Sequence, residues 1–367
     1  MSVASTMAVY SQMAAGFLLA AALAEAAPGD DAERAVRRRR VATLLRGLEQ
    51  LPEAMESCLG YSEDIAGIAE RHVGRHRYWA LVGNGWNRIA AEEIRIKLSE
   101  LCYKSIACDA TEDKKHIDLS SEPLILVCAA GLSGSTAGDV AKEVAIYRAH
   151  KATPIVIATE GEARFGEAVE LVRVPRAHPA LAFVLATVVG HLFGYHAALA
   201  IDRSARPLRQ MRAAIDRVVA ETDADRPDGP DPLERLRAKI GEPIGEFFGS
   251  LAKRSYDGHL EASTAVELAT LLRLVGGALP LSLYSSLTGR AGTPGVVLAH
   301  LVDATTRAID ELTRPIDAIK HQAKPVTVGI SRTDEALMTV RLVRAVLDAG
   351  VERDALTVSY THLKLPT

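Results

Sequence analysis

Aromatic residues are scarce in this chain: Phe, Trp and Tyr make up 5% of its 367 residues. Its four cysteines (Cys58, Cys102, Cys108, Cys128) form no C-x-x-C pair and stand at no metal-like spacing from a histidine. In a chain this long they read as reduced thiols, so neither a disulfide scaffold nor a metal site is expected. No stretch reaches about 18 uninterrupted apolar residues, so a membrane span is not expected either. A basic excess is missing too: 43 Lys and Arg face 46 Asp and Glu, for a formal charge of −3. A dedicated nucleic-acid binder usually has the opposite balance. Lysine is rare, 11 of the 43 basic residues, so each lysine is less easily dismissed as surface filler. What remains, 48% hydrophobic and 24% charged, is the composition of a globular protein and excludes a disordered or collagen-like chain. The length suggests two or three domains.

The apolar start of the chain lacks the basic segment of a secretory leader. It is expected to form a helix over 9–26, closed by Pro28-Gly29. A second helix is expected over 32–56, with Val36, Leu44, Leu45, Leu48 and Leu51 at helical spacing. Its Arg37-Arg38-Arg39-Arg40 run is read as a solvated face. At the other end, Val358-Ser359-Tyr360-Thr361-His362-Leu363-Lys364-Leu365-Pro366-Thr367 breaks with the Ala/Arg-rich style before it. It resembles a translated sequencing-adapter tail, so 358–367 are expected to be non-native.

From residue 78 the pattern alternates. Short apolar strands are expected at 78–82, 105–109, 123–129, 154–159 and 170–174, with helices at 87–101, 137–150 and 179–201. Such alternation means βαβ crossovers: an α/β domain with a parallel five-stranded sheet and flanking helices. Ligands bind such sheets at the carboxyl ends of the strands, which selects the turns at 83–88 and 131–138. A polar, Pro-rich linker at 221–232 precedes a mostly helical C-terminal insertion, 233–312. A strand is expected at 324–330 and a helix at 334–349.

Four groups of residues could do chemistry. Glu93, Lys97 and Glu100 stand at i, i+4 and i+7, on one helix face; an exposed Glu–Lys pair has the same spacing. His116 falls in a polar connection, where with a carboxylate it could move protons at a carbonyl or simply be a surface ring. Ser133-Gly134-Ser135-Thr136 follows a strand and opens a helix, suiting either an anion or a helix cap. Lys324 before a short strand is a surface lysine or, if burial lowers its pKa, an imine former.

Together these segments resemble the isomerase lobe of the glutamine–fructose-6-phosphate aminotransferases, which has two sugar-isomerase (SIS) domains. Val3-Ala4-Ser5-Thr6 with Ala8 and Gln12 is similar to the VASTKAFTxQ segment leaving the first SIS domain, with Met7 in place of its lysine. Gly83-Asn84-Gly85 stands where the second domain has GRG. Glu93, Lys97, Glu100 and Tyr103 match the ExxxKxxExxY helix, and without a gap Lys115-His116 falls on the KH. The following GP is Ile117-Asp118 here. Tyr195-His196-x-Ala198-Leu199 matches YHVAL, and Ala323-Lys324-x-Val326-Thr327-Val328 resembles the AKSVTV tail. The resemblance covers about residues 2–202 and 314–329. The first SIS domain and the glutamine-hydrolysing domain have no counterpart here, and about 110 residues separate the second SIS domain from the tail.

The resemblance implies a flavodoxin-like SIS fold. Residues 1–60 would be a helical remnant after a missing first SIS domain, 61–202 the second SIS domain, 203–313 a helical insertion, and 314–357 the tail with a following helix. It implies conversion of fructose 6-phosphate to glucosamine 6-phosphate, this chain bearing the isomerase part and being inactive alone. Glu100 would move the proton between C1 and C2, Lys97 would neutralise charge, His116 would assist ring opening across a dimer contact, and Lys324 would form the imine. Glu93, Gly83, Asn84, Gly85, Ser133, Ser135 and Thr136 would bind substrate. No cofactor or metal is implied. The expected partners are a phosphorylated hexose and a second copy of the chain in a homodimer, with no nucleic acid and no membrane, in the cytoplasm. A non-catalytic phosphosugar-binding regulator, a phosphosugar isomerase or deglycase, and a fragment without independent activity are the alternatives.

Overall fold

Pro28-Gly29-Asp30 ends one helix and starts the next. Asp30 Oδ1 accepts from the Glu33 N–H at 2.8 Å, and Glu33 Oε2 accepts from the Asp30 N–H at 3.2 Å. This capping box satisfies two helix-end donors and is worth about 1 kcal/mol. The computed structural model describes residues 6–102, 104–114, 116–221, 231–312 and 341–350. On either side of the box lie α1 (Thr6–Ala26) and α2 (Asp31–Leu59). Helix α3 (Ser62–His72), which the sequence reading did not anticipate, leads to the sheet and buries Ile65, Ile68 and Ala69.

The strands are β1 (Trp79–Gly83), β2 (Ala107–Asp109), β3 (Leu124–Ala129), β4 (Thr153–Thr159) and β5 (Glu170–Val174). All pair in parallel, in the order β2-β1-β3-β4-β5. This is the flavodoxin-like doubly wound order, with its switch point between β1 and β3. Every residue of β1 and β3 is buried, as a sheet covered on both faces requires. Alternate side chains feed two cores. Trp79, Leu81, Leu124 and Leu126 pack with α4 (Trp86–Cys102) and α7 (Ala182–Ser204). Ala80, Val82, Ile125 and Val127 pack with α5 (His116–Leu119) and α6 (Gly134–Ala149). Each fully buried Leu, Ile or Val there contributes roughly 1.5–3 kcal/mol.

Helices α4 and α7 lie side by side in the first core. A Cβ at Gly190 would fall 2.3 Å from Ile94, and one at Gly194 would fall 3.4 Å from Leu98. Both steps are four residues in the same direction, so the two helices run parallel. Both follow a strand and return antiparallel to the sheet.

After α7 the chain turns wholly helical: α8 (Arg206–Ala220), α9 (Pro232–Ala252), α10 (Ala262–Val275), α11 (Tyr284–Thr288) and α12 (Pro294–Leu312). These share a separate apolar core that includes Leu208, Met211, Leu236, Phe247, Leu271 and Leu301. The helical reading of 233–312 holds, and α8 joins it from before the linker. Lys104 ties this lobe to the sheet. Its ammonium donates to the carbonyls of Arg77 (3.0 Å), His76 (3.4 Å) and Gly258 (2.7 Å) and lies over the Trp79 ring. Thr6–Pro315 form one compact unit, and α13 (Arg341–Asp348) belongs to a second. The strand expected at 324–330 lies outside the described residues, as do Val3, Ala4, Ser5 and 358–367.

Candidate functional site

The two Gly-containing turns leave adjacent strands at the same edge of the sheet, because Gly83 pairs with Cys128 in the β1–β3 register. Ligands bind doubly wound sheets at this switch point. On the β3 side the turn uses Gly131 at φ +75° and Gly134 at φ +58°, conformations that side chains with a Cβ rarely adopt. Ser133 occupies the N-cap position of α6, yet its side chain makes no capping bond. Ser133, Ser135 and Thr136 are all exposed. Three exposed hydroxyls therefore surround a helix N-terminus, where backbone N–H groups and the helix dipole favour an anion.

On the β1 side Asn84 is committed to the fold. Its Nδ2 donates to Thr111 Oγ1 at 2.7 Å and to Glu112 Oε2 at 3.0 Å, and its Oδ1 accepts from the Thr111 N–H at 3.0 Å. Asn84 thus fastens the end of β1 to the segment after β2. Gly83 meets the first turn of α4 so closely that a Cβ would lie 2.4 Å from the Asn87 carbonyl. Asn87, buried in that turn, donates from Nδ2 to the Ala130 carbonyl at 2.9 Å and bridges the two turns. The sequence reading passed over Asn87; its signal is a polar residue at the first turn of a strand-to-helix junction.

Glu93, Lys97 and Glu100 do share one face of α4, but not at this edge. The helix starts at the carboxyl end of β1 and runs back along the sheet. At 1.5 Å per residue, Lys97 and Glu100 lie roughly 16 and 21 Å down its axis. The expectation that this face borders the carboxyl-edge cleft is therefore corrected, because only the first turn of a crossover helix sits at that edge. A hexose phosphate is too short to touch both the Ser133 turn and Glu100 of one chain.

The α4 face instead looks into the packing with α7 and α1. The Lys97 side chain is 6% exposed and its Nζ stands 3.4 Å from Glu93 Oε1. The same oxygen faces His191 Nε2 of α7 at 3.3 Å. His191 Nδ1 is hydrogen-bonded at 2.8 Å to the hydroxyl of Tyr10 on α1. Burial alone would push the Glu93 carboxyl up, but the His191 ring and the Lys97 ammonium hold it below the usual carboxylate value. Burial and the Glu93 charge push the Tyr10 phenol well above its ordinary value. Glu100 is half-buried on the same face, with Oε2 inside. Tyr10 and His191 were missed by the sequence reading, although a histidine set in the apolar first half of α7 was a visible signal.

The remaining expected residues are placed elsewhere. His116 opens α5, which buries Leu119 in the opposite core from α4. Tyr103, Lys115 and Lys324 lie outside the described residues. His196 of the Tyr195-His196 pair is hydrogen-bonded to Ser62 Oγ at 2.8 Å and ties α7 to α3. Between the sheet and the helical lobe lies a cavity of about 430 Å³, lined in part by Arg77, Lys104, Asp202, His259 and Asp310. Among the described residues no group of three or more His, Cys, Asp or Glu side chains could hold a metal ion.

No family model matches the chain, and no curated protein matches it. Among solved structures it is similar to the C-terminal domain of glucosamine-fructose-6-phosphate aminotransferase from Francisella tularensis, at 16% identity and TM-score 0.41, over 46% of this chain and 49% of that one. It is also similar to tagatose-6-phosphate ketose/aldose isomerase from Escherichia coli, at 20% identity and TM-score 0.33, over 46% of this chain and 44% of that one. The chain spans about half the length of these two structures.

Proposed function

We propose that this chain is the sugar-isomerase part of an enzyme that interconverts phosphorylated ketoses and aldoses, of the glutamine–fructose-6-phosphate aminotransferase type. The observation behind this reading is the α4 face: a buried lysine held by an ionised carboxylate, one turn from a half-buried Glu100. Proton transfer between neighbouring carbons of an open-chain sugar needs a base and a fixed positive charge. Glu100 takes the proton from C1 of the ketose, leaving an enediol, or an enolamine when nitrogen occupies C2. It returns that proton to the neighbouring carbon. Lys97 faces the negative charge that develops on oxygen. On this reading the sugar's phosphate is held outside this chain's own sheet edge, because the Ser133 turn lies too far from Glu100. On the same reading His116 acts from a second copy of the chain, as the dimer that the sequence resemblance implies would allow. Lys324 would supply the imine nitrogen.

A second reading, a phosphosugar-binding module without catalysis, is favoured by that same separation between turn and carboxylate. One experiment divides the two. The full chain is incubated with fructose 6-phosphate in D₂O, and deuterium entry at C1 is followed by proton NMR. Exchange that disappears in Glu100→Gln supports the isomerase. Sugar binding without exchange supports the module and removes the catalytic roles of Glu100 and Lys97.

A further inference from the structure

We infer that Tyr10 and His191 form a positioning dyad for the Glu93–Lys97 pair, in which Tyr10 fixes the tautomer of the His191 ring and the ring fixes Glu93. The functional meaning of the dyad rests on the isomerase reading above; its geometry does not.

The direction of the contacts follows from what each group can do. Glu93 is ionised and repels a bare nitrogen lone pair, so the ring nitrogen at 3.3 Å from it, Nε2, favours the N–H form even without an aligned hydrogen bond. An uncharged imidazole has one N–H, which leaves Nδ1 as an acceptor. The Tyr10 hydroxyl stands 2.8 Å from Nδ1 and can donate. Its phenol is held in the protonated form by burial and by the nearby carboxylate. The line therefore reads Tyr10 O–H to His191 Nδ1, with the His191 Nε2 edge and the Lys97 ammonium both within charge-contact distance of Glu93 Oε1, though neither is aligned on it as a hydrogen bond. In general, the partner of one imidazole nitrogen decides what the other nitrogen does.

Two further observations set the dyad apart from ordinary packing. The ring and the ammonium stand against a single oxygen, at 3.3 and 3.4 Å, so the charge on Glu93 answers to both. And α1 does not depend on the Tyr10 hydroxyl to stay in place. Phe17, two turns on, packs with Trp86 of α4 and Phe183 of α7 at centroid distances of 5.7 and 6.2 Å. The hydroxyl of Tyr10 is thus available for orientation. The segment before the sheet thereby acts on a charged pair in the middle of α4, three elements sharing one polar contact line.

The test uses the full chain with ¹⁵N-labelled histidine and ¹³C-labelled glutamate carboxyls, assigned through His191→Gln. In the wild type the His191 ring should show a protonated Nε2 and an unprotonated Nδ1. Tyr10→Phe should mix the two tautomers. His191→Leu should raise the Glu93 titration midpoint, because the ring beside its Oε1 is one of the groups holding the carboxyl down. His191→Gln, whose amide can still donate, should restore the low midpoint and also serves if the leucine variant folds poorly. A wild-type ring protonated at Nδ1, or a Glu93 midpoint that His191→Leu leaves unchanged, overturns the dyad. Neither readout needs turnover, so a chain that never exchanges sugar protons removes the isomerase reading alone.

Discussion

The Lys104 ammonium and the His259 ring share the junction between the sheet and the helical lobe, and the charge of the first helps keep the second unprotonated. Burial is the larger cause, followed by Lys104 and Arg77; together they bring His259 down to about 3. Unfolded, the ring would titrate near 6.5. The unfolded chain therefore binds the extra proton first on acidification. The contribution of His259 to stability is complete above about pH 6.5 and is lost as the pH falls toward 3. Urea midpoints measured from pH 8 to pH 4 should decline, and His259→Gln should flatten that decline. An equally steep decline in the variant would place the acid-sensitive group elsewhere.

Lys104 has a slope of the same sign in a higher pH window. Burial brings its ammonium down to about 8 from its ordinary 10.5, so between these values the unfolded chain binds more protons than the folded one. Stability from this group rises as the pH climbs from about 8 to 10.5. Lys104→Met should remove that rise. It should also cost about 1–3 kcal/mol at pH 7, because the carbonyls of Arg77 and Gly258 lose their donor. Guanidinium unfolding at pH 7 and pH 10 measures both effects.

Two helix starts should respond differently to alanine. Asp30 makes the capping box of α2, so Asp30→Ala should cost about 1 kcal/mol of stability. Ser133 makes no capping bond, so Ser133→Ala should change stability by less than about 0.5 kcal/mol. If the turn binds anions, the Ser133 variant should instead weaken protection by hexose 6-phosphate or sulfate in a thermal melt. A stability loss at Ser133 equal to that at Asp30 would make its hydroxyl a cap after all.

Glu100→Gln keeps the size of the side chain and removes the base. In the D₂O exchange reaction it should lower the rate by about 10²–10⁴ while leaving sugar affinity largely unchanged. Lys97→Met should impair the rate too, and should also free Glu93 to titrate closer to an ordinary carboxylate, because it removes one of the charges holding it down.

The sheet could be read from the sequence because its strands are short, nearly unbroken apolar runs between polar or glycine-containing turns. The expected limits of β3, β4 and β5 fall within a residue of the observed ones. Helix α3 escaped because its apolar residues, Ile65, Ile68 and Ala69, cover too short a stretch to set a period. The spacing of Glu93, Lys97 and Glu100 was legible as a shared face. Their place along the helix axis was misjudged, because the helix was located by its first turn alone. Asn84 sits in a promising motif, yet its bonds to Thr111 and Glu112 depend on where the segment after β2 returns. The contact of Lys104 with Gly258 spans 154 residues and follows from no local pattern.

Gly190 immediately precedes His191 and lies against Ile94, the neighbour of Glu93. The distance at which the ring meets the carboxylate is therefore set by a side chain that is not there. A methyl group at position 190 would lie 2.3 Å from Ile94, so α4 and α7 would have to move apart. The 3.3 Å separation between His191 and Glu93 would widen with them. The polar line from Tyr10 to Lys97 could thus be broken with all four of its residues intact. Descendants of this sequence could drift at many exposed positions, whereas the smallest residue beside this line leaves almost no room for inheritance to vary.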